Sequence, residues 1–151
     1  MDKKILSKRR SEIIEKFINL ECLINAIISQ HYFQRVTFPF VSEVLWDEYC
    51  SFALKRRILE KIIVTPDKQK IDKLNRLNTI RNYFAHCGQE ILEGSAPPGD
   101  DKQGWVPDPR KPTTRINFES LYSEFTESES DVIKYLFEIF QKKGGVTVRE
   151  G

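Results

Sequence analysis

The sequence predicts an all-α fold, a bundle of four or five helices built from one domain spanning residues 1–151. Two observations carry that expectation. Apolar residues recur at helical spacing through three long segments and a shorter one. Five of the seven prolines and three of the seven glycines, by contrast, fall in one stretch just before the last helical segment.

The first helix is expected over residues 3–30. Ile13, Ile14, Phe17, Ile18, Leu20, Leu23, Ile24, Ile27 and Ile28 form a wide apolar stripe. Lys8, Arg9, Arg10, Glu12, Glu15 and Lys16 fall mainly on its wet side. A break follows around His31 to Pro39, because a residue before proline disfavours the helical region. His31, Tyr32 and Arg35 read as that helix end. A second helical region is expected from Val41 to Val64, with Val44, Leu45, Tyr49, Phe52, Ala53, Ile58, Leu59 and Ile62 as its core and room for a bend. The chain restarts at VTPDK. Thr65 reads as an N-cap, Pro66 suits the first helical position, and Asp67 suits the positive end of the helix dipole. The third helix then runs from Pro66 to His86, with Gly88 as its C-terminal cap.

Residues 93–115 hold Pro97, Pro98, Pro107, Pro109 and Pro112, together with Gly94, Gly99 and Gly104. That composition predicts a long loop without regular helix. Trp105 and Val106 are its candidate anchors, and TRINF reads as a brief extended piece. The last helical region covers Glu119 to Lys143. Its polar middle, TESESD, is consistent with two helices or with one helix exposed at the centre. The tail, residues 144–151, reads as flexible. No internal repeat is visible.

Composition narrows the functional classes. Hydrophobic residues make up 40% and charged residues 30%, an ordinary balance for a globular core. Lys and Arg number 24 against 22 Asp and Glu, so the net charge of +2 does not by itself mark a nucleic-acid binder. Local basic clusters remain available for that. The N-terminus has no apolar run of signal-peptide kind, and no segment is long enough to span a bilayer. No membrane association is expected. Cys22, Cys50 and Cys87 form no CxxC pair, so neither a disulfide framework nor a zinc knuckle is suggested. Glu43, Asp47 and Glu48 lack metal-ligand partners at a convincing spacing. No metal or cofactor is expected, and the setting is a reduced, cytoplasmic one.

The most informative stretch is LNTIRNYFAHCG, Leu77 to Gly88. On a helix turning about 100° per residue, Leu74, Leu77, Ile80 and Phe84 share the core face. Asn75, Asn78, Asn82 and His86 line up on another. Amides in a row suit a semi-buried contact with specific hydrogen bonds better than a solvated face. Arg81 borders the core and needs a partner there. A structural reading supplies that partner as a carboxylate, Glu15 or Glu21 on the first helix, and makes His86 a cap of the helix C-terminus. A chemical reading makes the same residues a site. Cys87, with no base–acid arrangement around it, is not expected to be a nucleophile.

The stretch IRNYFAH resembles the signature of the HEPN superfamily. That signature is an arginine, commonly followed by a polar residue such as asparagine, and then a histidine four to six residues on. Here the four residues Asn82 to Ala85 intervene. The resemblance covers most of the chain, since HEPN domains are helical bundles carrying this motif on a late helix. Within the superfamily the chain looks most like stand-alone domains related to the mannitol operon repressor.

That resemblance implies metal-independent RNA cleavage, in which the ribose 2′-hydroxyl attacks the adjacent phosphate and leaves a cyclic phosphate end. His86 would serve as general base or acid, Arg81 would hold the phosphate, and Asn82 would position one of them. Asn78, Lys55 and Arg56 are the candidate RNA contacts, and the basic cluster Lys3 to Arg10 is a further source of phosphate contacts. Lys55, Arg56 and Arg57 equally suit a solvated face. Arg81 and His86 diverge by about 140° on a straight helix, so they share a site only if the helix loosens near Ala85 to Gly88 or a second subunit completes it. The resemblance answers this with a homodimer whose two motifs face each other across a cleft. It also implies a role in toxicity or defence, with an antitoxin or regulatory protein as partner. A HEPN subclass carries a tyrosine two residues after the histidine, the target of a partner nucleotidyltransferase. Gly88 stands there, which argues against that form of control. The alternative function is a non-catalytic, HEPN-like binding or regulatory protein.

Overall fold

The computed structural model describes residues 3–86, 105–108 and 110–143. These residues form an all-α bundle with one small hairpin. In chain order the elements are α1 (Lys3–Phe33), α2 (Phe38–Phe40), a π-helical turn (Val41–Leu45), α3 (Phe52–Ile62), α4 (Lys68–His86), β1 (Trp105–Asp108), β2 (Lys111–Asn117) and α5 (Phe118–Lys142). No helix is long and apolar enough to cross a membrane among the described residues.

Local chemistry sets the helix ends. At the end of α1, Gln34 takes the left-handed region at φ 58° and its amide donates to the Gln30 carbonyl at 2.8 Å. Glycine usually fills that position. Here the buried Ser29 hydroxyl holds the turn, donating to the Arg35 carbonyl at 3.1 Å and accepting from the Thr37 amide at 2.8 Å. The expected helix over 41–64 is split. Asp47 turns the chain by accepting from the Tyr49 amide at 2.9 Å, and Ser51 caps α3 by accepting from the Leu54 amide at 3.2 Å. Two side chains that compete for backbone donors therefore outweigh the apolar pattern across them. The start of α4 moves in the same way. Asp67, not Thr65, satisfies its first amides, accepting from Gln69 at 2.9 Å and Lys70 at 3.3 Å.

The expected irregular loop is also corrected in part. Strands β1 and β2 pair antiparallel, with Trp105 opposite Asn117, Val106 opposite Ile116 and Pro107 opposite Arg115. The register shifts between Pro107 and Asp108, where a residue lacking an N–H is tolerated. Asp108 closes the turn by accepting from the Arg110 amide at 2.8 Å. Residues 93–104, the Gly88 cap and the tail 144–151 lie outside the described residues, as do the side chains of Trp105 and Val106.

The chain divides into two compact units, to each of which the three long helices contribute a segment. One comprises residues 1–17 and 74–129. Its core is Ile13, Phe17, Leu74, Leu77, Ile80, Phe84, Phe118, Leu121 and Phe125, all buried, with Phe84 and Phe118 rings 4.8 Å apart. The bidentate pair of Arg76 with Glu124, at 2.6 and 2.9 Å, ties α4 to α5 here.

The other unit comprises residues 18–73 and 130–151. Leu20, Ile24, Ile27, Ile28, Leu45, Leu59, Ile71, Val132 and Leu136 form its core. Within it, Asp131 accepts from Lys70 and Lys73, both at 2.6 Å. The Tyr135 hydroxyl accepts from the Asp67 amide at 3.0 Å.

Candidate functional site

The motif lies in the first of these units, on the last three turns of α4. Arg81 is half-buried, and its environment decides what it can do. Its guanidinium carbon sits 4.5 Å from the centre of the Phe17 ring on α1. One Nη2 proton goes to the Asn78 side-chain oxygen at 3.2 Å. Its Nε is buried without a hydrogen-bond partner among the described residues. The expected carboxylate partner is absent. Glu21 is occupied by Lys55 at 2.7 Å, and among the described residues Arg81 forms no ion pair. An aromatic face and an amide oxygen take the carboxylate's place, a combination open to the weakly hydrated guanidinium.

The asparagine row is graded in exposure. Asn75 is exposed, Asn78 and Asn82 are half-buried, and His86 is exposed at the helix end. Asn78, expected as an RNA contact, spends its oxygen on Arg81 and is left presenting its amide donors. The helix stays regular through His86. Arg81 and His86 therefore keep their divergence of about 140°, and a single α4 does not aim both at one point. Cys87 lies outside the described residues.

Lys55 is corrected outright as an RNA contact. Its side chain is 1% exposed, paired with Glu21 and placed 4.5 Å from the Trp46 ring centre. Its charge is consumed inside the protein. Arg56 belongs to the same second unit and pairs with Glu60 at 2.8 Å along its own helix.

Sequence reasoning missed the part of α1 that meets the end of α4. Arg10 donates from Nη2 to the Ala85 carbonyl at 2.8 Å. Beside it, Arg9 lies 4.0 Å over the Tyr122 ring and pairs with Glu119 at 3.1 Å. The Tyr122 hydroxyl donates to Glu12 in a short hydrogen bond. That bond to a carboxylate, with burial, pushes the Tyr122 phenol above its ordinary pKa. The basic run at the start of α1 was the only signal available. Its partner lies 75 residues away, and no spacing rule reaches that far.

Among the described residues, no group of three or more His, Cys, Asp or Glu could hold a metal ion. No family model, curated protein or solved structure matches the chain.

Proposed function

We propose that the protein is a HEPN-like, metal-independent endoribonuclease that works as a homodimer. The observation that carries this reading is the motif's arrangement on α4: an exposed His86 ends a polar row in which Asn78 orients the half-buried Arg81. In the reaction, a ribose 2′-hydroxyl attacks its own 3′-phosphate. The 2′-O–P bond forms, the bond from phosphorus to the 5′-oxygen of the next nucleotide breaks, and a 2′,3′-cyclic phosphate remains. His86 removes the hydroxyl proton or protonates the leaving oxygen, the general acid–base work an imidazole can do. A guanidinium offsets the charge developing on the phosphate. Asn82 positions the imidazole or the substrate.

The need for the 2′-hydroxyl restricts the substrate to RNA. The divergence of Arg81 and His86 is resolved if α4 of a second copy supplies the missing member across a two-fold axis. A cytoplasmic setting belongs with this reading, in keeping with the free thiols of Cys22 and Cys50. An antitoxin or regulatory partner would cover the same face.

A specific observation favours a second reading. Arg81 is stacked on Phe17 with Nε closed off, which suits a structural arginine. On that basis the protein is a non-catalytic, HEPN-like binding or regulatory domain.

The test incubates purified protein with single-stranded and structured RNAs, with and without EDTA, and maps the product ends. Cyclic phosphate ends that persist in EDTA are expected. No cleavage of any RNA transfers the conclusion to the regulatory reading.

A further inference from the structure

We propose that Arg10, on α1, is the residue that grips an RNA phosphate at the His86 end of α4. The proposal deepens the ribonuclease reading above and rests on it for the identity of the ligand.

The Ala85 carbonyl belongs to the peptide bond that joins Ala85 to His86. It lies in the last described turn of α4. Arg10 donates to it at 2.8 Å and so brings a second guanidinium to within one peptide unit of His86. Because Phe17 meets Arg81 and Arg10 meets Ala85, α1 runs antiparallel to α4 here, and the contact follows from the packing of the two helices.

A guanidinium carries five N–H donors, so the bond to Ala85 leaves four unused among the described residues. The side chain is exposed, and among the described residues no carboxylate pairs with it. Its neighbours differ. Arg9 is held by Glu119 and by the Tyr122 ring, and Lys8 faces Glu12 at 4.0 Å. Arg81 has one Nη2 proton on Asn78, its face on Phe17 and its Nε closed off. Of the two arginines tied to the last turns of α4, Arg10 keeps the planar fork that matches two phosphate oxygens.

The experiment measures binding of a short single-stranded RNA fully 2′-O-methylated, which lacks the attacking hydroxyl, across a salt series. It compares wild type, Arg10→Gln and Arg10→Lys, with thermal unfolding of each in parallel. Glutamine keeps a donor for Ala85 and removes the charge. For Arg10→Gln, weaker binding is expected, with the slope of log affinity against log salt reduced by about 0.7, the loss of one single-strand phosphate contact. Arg10→Lys is expected to keep the slope and to bind more weakly than wild type. A wild-type slope and affinity in Arg10→Gln, with only the unfolding temperature lowered, would make Arg10 a cap and overturn the proposal. So would failure of the wild type to bind the probe.

Cleavage of the matching unmethylated RNA separates this from the parent reading. Arg10-dependent binding without cleavage retains the phosphate contact and removes the nuclease. Cleavage that needs His86 and ignores Arg10 retains the nuclease and removes the contact.

Discussion

Arg81 and Phe17 are in face-on contact, with the guanidinium carbon 4.5 Å from the ring centre. The most suggestive residue of the motif is thus also a packing element between α1 and α4. Arg81→Ala removes the ring contact and leaves the Asn78 oxygen without its donor. A loss of about 1–2 kcal/mol is expected from denaturant unfolding, alongside any loss of activity. An unchanged midpoint would show that the contact contributes nothing to the fold.

Lys55 is expected to behave as a core residue. Its removal leaves Glu21, whose side chain is 13% exposed, without its cation. Lys55→Ala is expected to cost roughly 3–5 kcal/mol, the range for breaking one side of a buried pair. Replacing both residues with apolar ones is expected to recover much of that loss in a double-mutant cycle. RNA affinity that falls in Lys55→Ala while stability holds would restore the residue to the surface.

Acid is expected to loosen the tie between α4 and α5 at Asp131. Hydrogen bonds from Lys70 and then Lys73 hold its carboxyl at about 2, below the ordinary 3.8. A depressed folded-state value stabilises the protein above the unfolded-state pKa, and that contribution disappears as pH falls through the folded-state value. The window is therefore from near pH 4 down to about 2. Asp131→Asn is expected to lose stability at neutral pH and to show a shallower acid decline than wild type across that window. Parallel stability–pH curves would contradict the assignment.

The dimer has its own test. Sedimentation at micromolar concentration is expected to give a two-fold dimer through α4. Asn75 is exposed on the polar row and outside the proposed chemistry. Asn75→Arg places like charges near the axis and is expected to shift the protein toward monomer. A wild-type monomer at that concentration would leave the Arg81–His86 divergence unresolved.

The long helices were legible because their apolar faces keep register. In α5 the buried residues Leu121, Phe125, Val132, Leu136 and Phe140 continue one stripe straight through the polar TESESD segment. A step of seven residues, two turns, separates Phe125 from Val132, so the helix is unbroken where composition left two options open. The split at residues 46–51 was not legible, because it depends on the side chains of Asp47 and Ser51 winning backbone donors. TRINF was legible as extended and lies in β2 as far as Asn117, but its pairing with 105–108 was hidden by prolines that a short, irregular pair of strands tolerates. At the site, the row from Asn75 to His86 followed from helical spacing alone. The partners that define it did not: Phe17 for Arg81, Glu21 for Lys55 and Arg10 for Ala85 are all contacts between segments distant in sequence.

The most direct measurement is RNA cleavage by wild type and His86→Ala, purified side by side and assayed in EDTA. His86 is exposed at a helix end, so the variant is expected to fold and associate as wild type does. The expected result is cleavage by the wild type, with 2′,3′-cyclic phosphate ends, and none by the variant. Equal cleavage by both proteins, or cleavage by the wild type that EDTA abolishes, would contradict a histidine-driven, metal-independent ribonuclease.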